Sequence, residues 1–301
     1  MPVIEMNRLS KFFGKTPAVR EATLAVEEGD FFGFVGPNGS GKTTTIRMLM
    51  NFLRPTSGKA SIFGMDTVKK SVDIKKRVGY VPSEIDYCEN MKAHAVIHFA
   101  CSLRGYRESG RIDELCDLFE VDVDRTMGKM SLGNRKKVAL VAALAHSPRL
   151  LILDEATTGL DPLIKKRFLD VLRHENKKGV TVFMCSHDMA EVQQLCQKIA
   201  IIRQGSILEV TDTTILAADE YRRISVKSPD DLTAAYEFLK IEQVTSAGGY
   251  ESFRYRGELD LLIKILANYH VEDLKIDLPS LEDAIVRFYE KKLEEEDNAH
   301  E

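Results

Sequence analysis

One segment constrains this chain more than any other. An apolar run, Phe34-Val35, enters Gly36-Pro37-Asn38-Gly39-Ser40-Gly41-Lys42-Thr43-Thr44 and leaves it into Thr45-Ile46-Arg47-Met48-Leu49. The spacing G-x-x-x-x-G-K-T is that of a loop that wraps phosphate groups between a strand and a helix. Gly36, Gly39 and Gly41 can take positive φ and bring backbone N–H groups against phosphate oxygens. The helix that begins near Lys42 points its positive dipole end at the same anions. Lys42 then reaches the β- and γ-phosphates, and the Thr43 hydroxyl is placed to ligate Mg²⁺.

Later segments supply the chemistry that a phosphate loop lacks. Leu150-Leu151-Ile152-Leu153-Asp154-Glu155 is an apolar strand that ends in two acids. Beside a phosphate loop, such a strand sets Asp154 on the Mg²⁺ shell and Glu155 where it can polarise a water. Gly159-Leu160-Asp161-Pro162 follows, and Ser186-His187-Asp188 closes a second apolar strand, Val180–Cys185, placing an imidazole where it could contact a γ-phosphate. Upstream, Met130-Ser131-Leu132-Gly133-Asn134 precedes the apolar helix Val138–Ala145.

In order and spacing, these residues resemble the ATP-binding-cassette (ABC) ATPases over about residues 3 to 215, and most resemble bacterial export ATPases of the drug- and bacteriocin-resistance type. The resemblance implies an α/β fold of phosphate-loop type, with a parallel αβ core, an antiparallel β subdomain and an α-helical subdomain at about residues 84–147. It also implies ATP and Mg²⁺ as cofactors and a head-to-tail dimer. In that dimer Ser131, Gly133 and Asn134 of the signature serve the partner's γ-phosphate and Asp161 lines the contact. The partner cassette is a second copy of this chain or a close relative. Phe13 matches the family's adenine-stacking aromatic, and the other reading is a core phenylalanine beside Phe12.

Three positions depart from the family pattern. Gly79-Tyr80-Val81-Pro82 is followed by Ser83-Glu84 where the family has a glutamine that touches Mg²⁺, so either Ser83 acts through a water or Glu84 substitutes. Leu132 replaces a signature glycine, and Asn134 replaces a glutamine.

Composition narrows the setting. The chain has 301 residues, 44% of them hydrophobic and 29% charged, with a formal net charge of −4. That supports a sizeable core and gives no reason to expect nucleic acid as a partner. Val138–Ala145 and Leu150–Leu153 are far shorter than the roughly 20 apolar residues of a membrane span. Met1-Pro2-Val3-Ile4-Glu5 does not read as a signal peptide. A transporter's membrane part is therefore expected on a separate permease, with this chain cytoplasmic and peripheral on the inner face of the membrane. The rival reading is a soluble ABC ATPase acting on ribosomes or DNA. Five scattered cysteines without a C-x-x-C pair suit reduced thiols. His94 and His98 share a helix face but lack a third metal ligand, which favours a polar face.

Residues 3–35 read as an antiparallel opening of three strands, Val3–Met6, Glu21–Val26 and Phe31–Val35. A cassette at 1–220 is followed by an accessory α+β region at 221–301. There the expected elements are strands Ile224–Val226, Phe253–Tyr255 and Leu274–Ile276, with helices Asp230–Lys240, Glu258–Tyr269 and Leu281–Leu293. The last helix opens with a Ser280/Asp283 capping pair inside Pro279-Ser280-Leu281-Glu282, a segment also found in export-type relatives. This region is read as regulatory or dimer-stabilising, or alternatively as a packing appendix.

Overall fold

Three apolar runs set the centre of the first of two compact units in the protein, a computed structural model describing residues 2–86, 89–106, 110–213, 221–277, 281–282 and 284–285. Strands β3 (Phe31–Val35), β7 (Leu150–Asp154) and β8 (Thr181–Cys185) are buried at every position. Burial without alternation marks strands covered on both faces of a parallel sheet. They belong to a six-stranded sheet with β6 (Val78–Val81), β9 (Lys198–Arg203) and β10 (Ser206–Asp212), in the order β10-β9-β3-β8-β7-β6. All neighbours run parallel except β10, which closes one edge antiparallel.

Alternation appears in a second, antiparallel sheet. β1 (Pro2–Phe13) pairs with β2 (Thr16–Glu27) and with β4 (Ser57–Ile62), which carries the short β5 (Met65–Asp66). Ala22, Leu24 and Val26 of β2 are buried while the residues between them are exposed, so one face meets the core and the other meets solvent. The expected three-strand opening is thus corrected at its third member. Phe31–Val35 pairs with β8 and β9, and β4 takes the place foreseen for it. A strand of five buried residues has no polar side to offer water, and only the middle of a sheet covered on both faces satisfies it.

The two sheets share one core. Met6, Leu24 and Ile62 meet Ile46 and Met48 of α1 (Lys42–Leu49), together with Phe32, Phe34, Ile152 and Phe183. The Phe183 ring centroid lies 5.9 Å from that of Phe32 and 5.5 Å from that of Phe34. A short α2 (Ser71–Lys75) precedes β6. Between β6 and β7 come α3 (Ala93–Ser102), α4 (Gly110–Phe119), a 3₁₀ turn at Met127–Lys129 and α5 (Leu132–Leu144). From Val138 onward α5 is buried at every position and packs against α3, α4 and β6. Phe119 of α4 meets Phe168 of α6 (Pro162–Lys177) edge-on at 6.2 Å. α7 (Met189–Leu195) leads into β9. Among the described residues no helix is long and apolar enough to cross a membrane.

His146, just past α5, gives this part a built-in acid sensitivity. Burial, reinforced by the nearby Arg104 guanidinium, pushes its imidazole down to about 4. The unfolded chain binds a proton near 6.5, so between those values it holds more protons than the native state. Stability therefore falls as pH drops from 6.5 to about 4 and levels off below, with a ceiling of about 3 kcal/mol for this one group. In His146→Gln the urea midpoint should fall less across that window than in the parental chain. Parallel pH profiles would refute the assignment.

The described residues from 213 onward form a separate compact unit. Its order is β11 (Arg222–Lys227), α8 (Thr233–Phe238), β12 (Val244–Ala247), β13 (Tyr250–Tyr255), α9 (Leu259–Leu266) and β14 (Asp273–Asp277). The antiparallel sheet runs β12-β13-β11-β14. This β-α-β-β-α-β chain with its split pairing is the ferredoxin-like arrangement. Ile224, Val226, Phe253, Leu262 and Leu266 form its core. β12 is a strand that the sequence reading did not foresee. It is exposed throughout and joined to β13 by Gly248-Gly249, both at positive φ, a two-residue hairpin turn. Both expected helices are shorter than read, at Thr233–Phe238 and Leu259–Leu266. Most of the expected helix Leu281–Leu293, with the Ser280/Asp283 cap, lies outside the described residues.

Candidate functional site

The phosphate loop forms because its three glycines meet two different requirements. Gly39 and Gly41 adopt positive φ, at 77° and 107°, and Gly41 starts α1. Gly36 does not, which corrects the expectation for it. A Cβ there would lie 2.1 Å from the Ile202 carbonyl oxygen, so the requirement is close packing of loop on β9. The Lys42 ammonium, on a nearly buried side chain, donates to the carbonyls of Gly36 (2.6 Å) and Pro37 (3.0 Å).

An open cleft of about 430 Å³ lies over this loop, lined by Asn38, Gly39, Gly41, Lys42, Thr43 and Thr44 together with Ser83, Glu155, Thr158 and His187. With Ala18 of β2, residues from five separate stretches of sequence thus converge on one place. Pro37 and Ser40 belong to the loop itself, and Ser40 is buried. Phe13 stands at the end of β1 with 54% of its surface exposed, and the Lys11 ammonium lies 5.4 Å from its ring centroid. It is not a core phenylalanine.

Asp154 ends β7 and is fully buried. The Thr43 hydroxyl donates to its Oδ1 at 3.2 Å, while Oδ2 has no hydrogen-bond partner among the described residues. Burial raises this carboxyl above its ordinary range, opposed by hydrogen bonding from Thr43 and Ser83. A desolvated carboxylate with an orphaned oxygen beside a threonine hydroxyl is a hard-oxygen donor set, which fits Mg²⁺ completed by phosphate oxygens. Of the two residues considered beside it, Ser83 lines the cleft, whereas Glu84 is exposed and faces Arg47 at 3.8 Å.

Glu155 sits at φ 52°, the left-handed region that side chains other than glycine rarely occupy. Its N–H donates to the Cys185 carbonyl at 3.0 Å, tying it to the end of β8. Its Oε2 lies 2.5 Å from His187 Nδ1 and accepts from the Thr158 hydroxyl at 3.3 Å. The acid and the imidazole therefore form one hydrogen-bonded pair at the mouth of the cleft, with His187 the more exposed member.

The signature residues are held elsewhere. Ser131 caps α5, its Oγ accepting from Asn134 N–H at 3.4 Å. Asp161 caps α6, its Oδ1 accepting from Ile164 N–H at 3.0 Å, and faces Lys137 at 3.8 Å. Gly133 lies so near Gly159 that a Cβ would approach the Gly159 carbonyl oxygen to 2.5 Å. Ser131, Gly133, Asn134 and Asp161 are thus grouped with one another, and none of them lines the cleft. His94 and His98 are exposed on α3, with His94 Nδ1 3.2 Å from the Val123 carbonyl.

Two buried charges beside the cleft residues escaped the sequence reading. Lys136 donates to the carbonyls of Pro82 and Ser83, both at 3.1 Å, and burial lowers its ammonium against the pull of Asp154 and Glu155. Glu191 sits under Thr157 and Ser186. Both look like solvated helix positions in sequence. The available signal was their spacing, with Lys136 five residues after Ser131 and Glu191 four after His187.

Comparison with known proteins identifies the family. The profile of the ABC transporter family matches residues 19–158. The bacitracin transport ATP-binding protein BcrA of Bacillus licheniformis is 31% identical over 300 residues, covering 95% of this chain and 96% of that protein. The linearmycin resistance ATP-binding protein LnrL of Bacillus subtilis is 30% identical over 280 residues, covering 89% and 86%. Among solved structures, a dimeric ATP-binding cassette in a post-hydrolysis state with ADP and phosphate superimposes with a TM-score of 0.63 at 21% identity, covering 69% of this chain and 98% of that one. The chain belongs to the ABC transporter family and is one of its ATP-binding ATPases.

Proposed function

We propose that this chain is the ATPase subunit of an exporter, powering a separate transmembrane permease by ATP-driven closure of a cassette dimer. The observation that carries the proposal is the division of its functional residues into two groups. Lys42, Thr43, Glu155 and His187 share the cleft, while Ser131, Gly133 and Asp161 lie together off it. A chain with a phosphate cleft and a detached signature is completed by a second cassette, a copy or a close relative. The relatives named for bacitracin transport and linearmycin resistance support export, and they favour this reading over action on ribosomes or DNA.

On this reading the loop amides and Lys42 bind the β- and γ-phosphates, and Phe13 stacks on adenine. Thr43 and Asp154 would hold Mg²⁺, with Ser83 beside them, and the ion neutralises charge on the phosphate oxygens when bound. Glu155 orients a water for in-line attack and receives its proton, and His187 fixes the Glu155 carboxylate while facing the γ-phosphate. Signature residues Ser131, Gly133 and Asn134 act on the partner's nucleotide, and Asp161 lines the contact. The permease docks on the segment 83–98, with this chain on the cytoplasmic face of the membrane. Residues 221–301 form an accessory domain beyond a cassette at 1–220.

A tagged pull-down from gently solubilised membranes tests this. The expected result is a polytopic membrane protein that co-purifies in an ATP-dependent way. Ribosomal proteins or DNA-bound factors without a membrane protein would overturn the transport reading.

A further inference from the structure

Glu155 presents a physical problem. Its left-handed backbone is costly for a side chain of this size, and such a conformation persists only where the surroundings impose it. The pair that it makes with His187 joins the ends of two different strands, β7 and β8, so its geometry depends on how those two loops are held against each other.

A single carboxylate spans them. Glu191 of α7 is 3% exposed, and its Oε2 accepts from the Thr157 hydroxyl at 3.0 Å and from the Ser186 hydroxyl at 3.2 Å. Thr157 is two residues past Glu155, and Ser186 immediately precedes His187. The other oxygen, Oε1, pairs with the Lys165 ammonium of α6 at 2.6 Å. Lys165 also donates to Asp188, immediately after His187, at 2.8 Å, and its N–H donates to the Asp161 carbonyl at 2.9 Å. A buried carboxylate left without partners would be strongly destabilising, so this cluster keeps its donors or rearranges as a whole.

We propose that Glu191 is a positioning residue, a brace through which the Thr157 and Ser186 hydroxyls hold Glu155 and His187 in register for hydrolysis. This rests on the reading of Glu155 and His187 given above. Glu191 is buried and does not line the cleft. It acts by fixing the loop on each side of the pair.

Thr157→Val removes one hydroxyl at nearly constant volume, and Thr157→Ser keeps it. Misplacement of reacting groups on the ångström scale is costly, so Thr157→Val should lower kcat about ten- to a hundredfold, with nucleotide affinity and KM within about twofold, and Thr157→Ser should recover most of the rate. Should Thr157→Val fail to fold, Ser186→Ala removes the other donor to the same oxygen, together with the acceptor for the Asp188 N–H at 3.0 Å, and should lower kcat at least as far, a parental kcat again overturning the proposal. A parental kcat in Thr157→Val overturns the proposal. So does a Thr157→Ser variant as slow as Thr157→Val, or a joint loss of affinity and kcat. Glu155→Gln is assayed alongside. If it turns over at the parental rate, the reading of the pair fails and the brace with it. If it is inactive while Thr157→Val is at parental rate, the brace alone fails.

Discussion

Glu155→Gln is expected to bind ATP with parental affinity and to hydrolyse it roughly 10²- to 10⁴-fold more slowly, the range associated with loss of a general base. The amide has the carboxylate's shape and can keep a hydrogen bond to His187 and to Thr158, so the loops after β7 and β8 stay in place. What it cannot do is receive a proton from the attacking water. Because ATP still binds while its removal is blocked, ATP-bound dimers should accumulate. Single-turnover hydrolysis with light scattering in ATP measures both effects. Hydrolysis at the parental rate would remove Glu155 from the chemistry.

Lys42→Met should fail at the earlier step. The side chain is nearly buried and its ammonium bonds only short-range carbonyls of the loop, so methionine fills the space of the stem and removes only the charge. Hydrogen bonds to a charged group contribute about 1.5–3 kcal/mol, which corresponds to a loss of roughly ten- to a hundredfold in ATP affinity. On the proposed reading Lys42 serves the distal phosphates, so the loss should be larger for ATP than for AMP. Equilibrium titrations with the nucleotide series measure it, and equal affinities for mutant and parent would show that Lys42 does not hold phosphate. The two variants separate binding from chemistry: one keeps the nucleotide and the other does not.

The parts of the site that were readable in the sequence are those in which one short segment carries its whole chemical requirement. The phosphate loop is of that kind, and so is the strand ending in Asp154-Glu155, because an apolar run fixes its own burial and its last residues fix the chemistry. The sheet to which Phe31–Val35 belongs was misread because pairing is decided by distant strands, here β8 and β9, that local pattern does not reveal. β12 was missed for the opposite reason. All four of its residues are exposed, so hydrophobic alternation is absent and only the Gly248-Gly249 turn betrays it. Lys136 and Glu191 were missed because a charged residue on a helix ordinarily marks the solvent side. Their burial is a tertiary fact, visible only when the loops they serve are in place.

Lys136 also imposes a mechanical condition on the cassette. Its two acceptors are consecutive carbonyls, and it stands on the second turn of the helix that Ser131 caps. Separating the helix from the loop would strand a desolvated ammonium at about 1.5–3 kcal/mol per bond given up. Ser83 and Ser131 are therefore geared together. A displacement of the Pro82-Ser83 backbone therefore costs these bonds unless the head of the helix moves with it.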